Sequence, residues 1–465
     1  METKRIIISI LICMSMTAFG QKLPPTIKDA FGRTVILHGL NTAGGAKHSK
    51  DNQPWITEND VAKENTEFGF NTVRYLIFWG AIEPKKGEYD ENYLAEVKKR
   101  VEWYTDRGMY VILDIHQDVY GYGVGGNGAP AWACTQTKIQ NLISDKRAWW
   151  MQNLEPKVIK SYVTFFKYDK RKDLQQHYIL AWKKVAEMFQ DNPYVIGYDL
   201  MNEPHGGNLA NTLCGKFEKK QLSAFYRRLI RGVRSVDSTR YIFIEPRSFG
   251  VNFGMKSYLP RIKDAMPDGE NKLIYAPHLY LIFVDVGGNY NKKYQRKLEQ
   301  WFSHRIKEAK LHKAPMLIGE FGLSPGKKDF DKYLQDIFTR ANQQKASWTY
   351  WSSDPGGWGP LKGDKSPSPI LHELVSVYPK ATAGQLKNFT YDSKTQTFLM
   401  TYICDTTIAA PTEIAIPKSL YPNGYVRSVA GLSGWNEETD ATTGALKIYA
   451  DEHGQEVTVF IRPKE

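Results

Sequence analysis

The chain has 465 residues, of which 42% are hydrophobic, 24% charged and 13% aromatic, and its formal net charge is +12. That composition can bury a sizeable core and excludes both wholesale disorder and a multi-span membrane protein. Its basic residues are scattered rather than run together, which argues against a nucleic-acid partner, and its 12 Trp, 27 Tyr and 21 Phe offer more stacking surface than core filling needs.

At the N-terminus Lys4 and Arg5 precede an apolar run from Ile6 to Met16, and Ala18-Phe19-Gly20 supplies small residues at positions −3 and −1. This pattern predicts a secretory signal peptide over residues 1–20, too short in its apolar part to span a bilayer, and a mature protein that is periplasmic or secreted. Cys13 follows Ile12, which is not the small residue that a lipidated cysteine requires. The mature chain then keeps Cys134, Cys214 and Cys404. If an oxidising compartment joins two of them, Cys134–Cys214 is the expected pair, with three free thiols as the alternative.

Short β-branched runs follow at Val35–Leu40, Thr72–Leu76, Tyr110–Asp114, Val195–Leu200, Tyr241–Glu245, Ile274–Pro277, Met316–Gly319 and Ser347–Tyr350. Their hydrophobicity is continuous rather than alternating, so they read as parallel strands covered on both faces. Amphipathic helical segments lie between them, among them Tyr93–Arg107, His177–Gln190, Leu222–Ser235, Tyr294–Lys310 and Phe330–Gln344. Eight such repeats predict an α/β fold, a (β/α)8 TIM barrel over residues 21–380, in preference to a doubly wound open sheet. From residue 381 to 465 short strand patterns separated by turn residues predict a small C-terminal antiparallel β-sandwich.

Polar residues gather just past the predicted strands: Asn41, Arg74, His116 with Asp118, Asn202 with Glu203, Glu245, His278, Glu320 and Trp351. In a barrel of this kind the carboxyl ends of the strands carry the site, and the long segment Val119–Gln176 after the third strand is expected to form its rim. Glu203, at the end of the fourth strand, and Glu320, at the end of the seventh, should face each other across the mouth. Two opposed carboxyl groups are the minimal apparatus for cleaving a glycosidic bond, one protonated and the other ionised. Arg74 would favour the ionised form of Glu320, and an apolar setting would favour the protonated form of Glu203. Either glutamate alone could be a buried strand-end residue; the pair, with Asn202 beside one of them, is better explained as catalytic.

Asn202-Glu203-Pro204, His116, His278-Leu279-Tyr280, Glu320 in its Gly-Glu-Phe-Gly turn, Trp351 and Arg74 together resemble glycoside hydrolase family 5 over most of residues 30–360. The resemblance implies a retaining mechanism with Glu203 as acid/base and Glu320 as nucleophile, their carboxyl groups ~5–5.5 Å apart. It further implies that Asn202 bonds the sugar 2-hydroxyl, Tyr280 orients Glu320, Trp351 floors the −1 subsite, and His116 and His278 belong to the site. A narrower similarity, to the endoglycoceramidases, is carried by His38-Gly39-Leu40-Asn41, Lys47, His116-Gln117-Asp118, residues 125–130 and residues 350–357. It implies a glycosphingolipid substrate cut between oligosaccharide and ceramide, with Lys47 and Asp118 holding sugar and Trp150 as an aromatic wall.

A glycolipid needs an apolar trough beside its sugar channel, and Phe249, Val251, Phe253, Met255, Leu281, Ile282, Phe283 and Val284 are the candidates for it. Transient contact with a membrane surface would accompany such a substrate, and the protein is expected to be a monomer. The competing readings are a β-glucosidase on glucosylceramide or steryl glucosides, a β-1,4-glucanase or mannanase, and a non-catalytic carbohydrate- or lipid-binding protein. The last would be marked by loss of a catalytic glutamate, and both are present. No cofactor or metal is expected, because no zinc spacing or calcium loop occurs. Gly121-x-Gly123-x-x-Gly126 matches a dinucleotide fingerprint only by letter, since it runs into Ala129-Pro130 without opening a helix.

Overall fold

The computed structural model describes residues 25–42, 44–135, 151–266, 268–324 and 328–465; the predicted signal peptide, Cys13 and Trp150 lie outside them. The chain opens with a short antiparallel hairpin, β1 (Ile27–Lys28) and β2 (Thr34–Val35). The barrel strands follow: β3 (His38–Asn41), β4 (Thr72–Ile77), β5 (Tyr110–Ile115), β6 (Val195–Asp199), β7 (Tyr241–Ile244), β8 (Leu273–Tyr275), β9 (Leu317–Ile318) and β10 (Ser347–Tyr350). All pair in parallel in the order β8-β7-β6-β5-β4-β3-β10-β9, and a parallel bridge from Tyr275 to Met316 closes the ring.

Every residue of β4 and β5 is buried, as expected of strands that face a barrel interior on one side and helices on the other. The period of two separates those faces. Val73, Tyr75, Val111 and Leu113 join the large core shared with the outer helices, while Ile112, Ile196, Phe243, Ile274 and Leu317 form a separate cluster within the ring. Ile27, Val35 and Leu37 complete that inner cluster from the hairpin side, together with Ala381. Each fully buried aliphatic side chain of this kind contributes about 1.5–3 kcal/mol. One boundary differs from expectation. Val35 does not begin the first barrel strand; with Thr34 it pairs antiparallel to Ala381 and Thr382, so the predicted run is split between two sheets.

The C-terminal strands are β11 (Tyr378–Thr382), β12 (Gly384–Asp392), β13 (Thr397–Cys404), β14 (Thr412–Ala415), β15 (Tyr425–Ala430), β16 (Trp435–Thr439), β17 (Leu446–Ala450) and β18 (Glu456–Pro463). They form a four-stranded antiparallel sheet, β12-β13-β18-β15, and a six-stranded one, β1-β2-β11-β14-β17-β16, which takes in the N-terminal hairpin. Along β13 burial alternates, with Phe398, Met400, Tyr402 and Cys404 turned inward. Arg33 ties the hairpin to this part of the chain through Glu413 at 2.6 Å, and Tyr378 Oη donates to the Gly69 carbonyl at 2.8 Å.

The three described cysteines are free, so the expected Cys134–Cys214 bond is not formed. Cys134 is buried in the loop after β5, where a side chain at Gly123 would meet its Cβ at 2.7 Å, whereas Cys214 is exposed at the end of the helix Leu209–Leu213. Among the described residues no helix is long and apolar enough to cross a membrane.

Candidate active site

The inward phase of the barrel strands changes from apolar to ionic toward their carboxyl ends. On β5, Ile112, Asp114 and then His116 follow one another at intervals of two, and on β6 Asp199 follows Gly197. Arg74, fully buried on β4, stands at the centre of this layer. Its Nε donates to Asp199 Oδ2 at 2.9 Å, its Nη1 to Asn41 Oδ1 at 3.0 Å and Glu320 Oε1 at 2.8 Å, and its Nη2 to Asn202 Oδ1 at 3.0 Å and Glu245 Oε1 at 3.1 Å. Asp114 Oδ2 lies 3.2 Å from the same Nη2. A planar fork with five donors can link this many strands at once; an ammonium could not.

Glu320 receives Arg74 on Oε1 and the Tyr280 hydroxyl on Oε2 at 3.0 Å, with His278 Nδ1 3.5 Å away. Burial pushes its carboxyl upward, but His278, Arg74, His116 and Lys47 together hold it below the ordinary carboxylate range. His278 lies among three carboxylates: Nδ1 is 2.9 Å from Glu203 Oε1, and Nε2 is 3.2 Å from Glu245 Oε1. Burial disfavours its charge, yet Glu245 and Glu320 prevail and raise it well above a normal imidazole, which favours the protonated ring. Burial conversely pushes Glu245 up to about 8 and Asp199 up to about 6.

Glu203 occupies left-handed backbone, φ 45°, immediately before Pro204. A residue preceding proline normally takes extended backbone, so this turn is strained and must be held by its surroundings. Its N–H donates to Glu245 Oε2 at 2.9 Å, while Gln117 Nε2 donates to the carbonyls of Asn202 (2.9 Å) and Glu203 (3.1 Å). The side chain accepts from Asn252 Nδ2 at 2.7 Å as well as from His278. The apolar setting expected for Glu203 is therefore replaced by a polar one, because loops after two neighbouring strands bring donors to it.

Beside the carboxylates lies a second polar group. His116 Nδ1 contacts Asp114 Oδ2 at 2.7 Å, its Nε2 is 3.5 Å from Asp118, and its ring stacks on Trp351 at 5.5 Å. Lys47 Nζ pairs with Asp118 Oδ2 at 2.6 Å and stands 4.0 Å over the Trp351 ring. Burial favours a protonated Asp118, but Lys47 and His116 overcome it and keep the carboxyl far below its usual range. The glycines after β5 make this corner: a Cβ at Gly126 would fall 2.1 Å from the Asp118 carbonyl, and Gly128, at φ 111°, would meet the Gln117 Cβ at 2.4 Å. They serve close backbone approach.

Glu203, Glu320, Lys47, Arg74, His116, Asp118, Asn202, His278, Tyr280 and Trp351 thus lie in one connected group, while Trp150 is outside the described residues. Asn202 is engaged on both sides of its amide, accepting from Arg74 and donating to the Gln117 carbonyl at 3.0 Å. The expected trough is only partly open. Phe253, Met255 and Phe283 are exposed and Phe249 is half-buried, but Val251, Leu281 and Val284 turn inward and are core residues; the Ile282 side chain lies outside the described structure. Loops after consecutive strands alternate between anchoring and presenting side chains, which hydrophobicity alone does not separate.

Several participants went unassigned in the sequence. Asp114 and Asp199 were legible as inward-phase acids within apolar strands, and Asn41 and Glu245 as strand-end polar residues. Gln117 and Asn252 sit in irregular loops with no periodic signal. Glu203, His278 and Glu320 bring three ligand-type atoms within 4.8 Å of one another. A cation among them would face the Arg74 guanidinium, 2.8 Å from Glu320 Oε1, so the donor set suits a proton-transfer pair better than a metal.

An eight-stranded barrel with two opposed glutamates at its mouth, one clamped by arginine and tyrosine, defines an O-glycosyl hydrolase. Residues 28–357 match the family model for cellulase (glycosyl hydrolase family 5), and residues 377–461 match the glycoside hydrolase family 5 C-terminal domain. The chain belongs to glycosyl hydrolase family 5. It is similar to endo-glycoceramidase II from Rhodococcus sp., with 35% identity and a TM-score of 0.87 covering 95% of this chain and all of the other. That enzyme has also been solved as a ganglioside GM3 complex and as a lactosyl-enzyme intermediate. Endoglycoceramidase I from Rhodococcus hoagii (strain 103S) is 26% identical over 423 residues, covering 87% of this chain and 80% of the relative. Endoglycoceramidase from Hydra vulgaris is 26% identical over 446 residues, covering 85% and 80%.

Proposed function

We propose that the protein hydrolyses glycosphingolipids by a retaining, endo-acting mechanism, releasing an intact oligosaccharide from ceramide. The observation that carries this reading is the 35% identity over 95% of the chain to endo-glycoceramidase II, an enzyme solved in complex with ganglioside GM3. Glu320, kept ionised by Arg74 and oriented by Tyr280, attacks the anomeric carbon while Glu203 gives its proton to the ceramide oxygen. Glu203 then takes a proton from water, whose oxygen displaces Glu320 and completes hydrolysis with net retention. An oxygen of Glu203 within 4.8 Å of one of Glu320 supports the retaining course, as inverting pairs leave ~6.5–9.5 Å for water. Lys47, Asp118, His116, Asn202 and Trp351 hold the sugar beside the nucleophile.

The leaving-group side is lined by loops after β6, β7 and β8, which expose Leu213, Phe253, Met255, Phe283 and Val286. Exposed apolar tips of this kind suit a lipid aglycone and brief contact with the surface that holds it. The deciding assay incubates the protein with lactosylceramide or a ganglioside and, separately, with a soluble β-1,4-glucan, and identifies products by mass spectrometry. Intact oligosaccharide with free ceramide is expected. Single sugars, or cleavage of the glucan alone, would overturn the substrate assignment while leaving the two glutamates in place. Export is part of the same proposal, supported by the pattern over residues 1–20; the mature protein is expected to begin at Gln21, and cytoplasmic protein retaining Met1 would refute it.

A further inference from the structure

Asn252 belongs to none of the sequence motifs, yet its Nδ2 makes the shortest hydrogen bond to the Glu203 side chain, 2.7 Å to Oε1. The residue is 5% exposed. Its own backbone is tied on both sides, its N–H donating to the Ser248 carbonyl at 3.1 Å and its carbonyl accepting from the Tyr280 N–H at 3.0 Å. The surrounding loop after β7 is pinned by buried cations. Arg305 donates to the carbonyls of Val251 (2.8 Å) and Met255 (2.7 Å), and Arg247 to that of Phe249 (3.1 Å), while Glu308 and Glu218 anchor the two guanidiniums. A loop held through its carbonyls in this way fixes where the Asn252 amide points.

We propose that Asn252 is the positioning residue of the general acid: together with His278 it occupies Oε1 of Glu203 as a donor, so that Oε2 carries the transferable proton and faces the leaving group. This rests on the reading of Glu203 as the acid/base. Two donors converging on one carboxyl oxygen make that oxygen the acceptor, and the hydroxyl of the protonated form must be the other. The remaining titratable groups around Glu203 are Glu245, which binds its backbone N–H, Glu320 across the cleft, Tyr280 and Tyr162. Of the two hydroxyls, Tyr280 donates to Glu320 and Tyr162 to Gln117, so among the described residues removing Asn252 leaves His278 as the donor to this carboxylate. Phe253 and Met255, on the same stiff loop, are exposed one and three residues away. The lipid contact and the acid are thus carried by one frame.

The test compares Asn252→Ala and the isosteric Asn252→Asp with the wild-type mature enzyme on two substrates, lactosylceramide and 2,4-dinitrophenyl lactoside. The second has a leaving group that departs without a proton. The kcat/KM for lactosylceramide is expected to fall about 10- to 100-fold in both variants, with kcat/KM for the activated glycoside, which reports the first step alone, within about threefold of wild type. The alkaline limb of kcat/KM on lactosylceramide should move to higher pH, because a donor that favours the ionised carboxylate is lost, and further for Asp than for Ala. Equal losses on both substrates, no loss, or an unmoved alkaline limb would overturn the proposal. If the Ala variant fails to fold by near-ultraviolet circular dichroism, the Asp variant, unchanged in shape, decides. A Glu203→Ala control separates the two levels. Parallel loss of kcat/KM on both substrates there would sink the acid/base reading itself, whereas a spared kcat/KM on the activated glycoside beside Asn252 variants that behave as wild type would sink only the positioning role.

Discussion

Replacing Arg74 with methionine keeps the apolar stem, removes a fully buried guanidinium and leaves four carboxylates without it: Glu320 at 2.8 Å, Asp199 at 2.9 Å, Glu245 at 3.1 Å and Asp114 at 3.2 Å. Breaking a buried ion pair by deleting one partner costs about 3–5 kcal/mol, because the remaining charge is neither hydrated nor paired. Here the carboxylates have an escape, since they can take up protons. The expected loss at neutral pH therefore stays near that range instead of scaling with four pairs. For 465 residues the unfolding entropy is about 1 kcal/mol per degree, so Tm should drop by about 3–5 °C.

The loss should also depend on pH, and its sign follows from the carboxyls involved. Burial already raises Glu245 to about 8 and Asp199 to about 6, and Arg74 pulls both down; without it they rise further, and Glu320 loses a cation that keeps it low. A carboxyl raised in the folded state destabilises it progressively as pH climbs from the unfolded value near 4 to the folded one. The Tm deficit of Arg74→Met should accordingly be smaller at about pH 5 than at about pH 8.5. Thermal melts followed by near-ultraviolet circular dichroism at the two pH values, with turnover measured alongside, make the test; activity should be abolished at both. A variant within 1 °C of wild type at the higher pH, or an equal deficit at both, would refute the account of Arg74 as the charge that holds this layer together.

Glu320→Gln should abolish turnover while leaving Tm nearly unchanged, and near-normal activity would end the nucleophile assignment. Tyr280→Phe removes one donor at 3.0 Å from a charged acceptor, worth about 1.5–3 kcal/mol, so kcat/KM should fall about 10- to 100-fold and its acidic limb should move to higher pH. A double change of the exposed Phe253 and Phe283 to serine should raise KM for lactosylceramide with little effect on a soluble lactoside; parallel changes would argue against a lipid-facing rim. Alkylation of the native protein should label Cys214 alone, since Cys134 and Cys404 are buried and burial pushes the Cys134 thiol up to about 11. Non-reducing mass analysis finding Cys134 bonded to Cys214 would contradict the free thiols.

What the sequence by itself determined is local or periodic. Continuous β-branched runs at regular spacing specify buried parallel strands, and a polar residue just past each run must emerge at the carboxyl end of the ring, whatever the details of packing. Glu203 and Glu320 were therefore legible as a facing pair before any distance was known, and so were Arg74, His116 and His278 as members of one layer. Tertiary structure decided everything that depends on which elements are neighbours across the closed ring. It sets the six partners of Arg74 on five other strands and the loops beyond them, the polar rather than apolar setting of Glu203, and the pairing of Thr34–Val35 with a strand some 350 residues later. It also decided which apolar rim residues turn inward and that Cys134 and Cys214 stay apart. These are long-range contacts between segments that carry no signal of each other. Their geometry exists only once strand order, closure and the buried arginines have fixed where each loop must go.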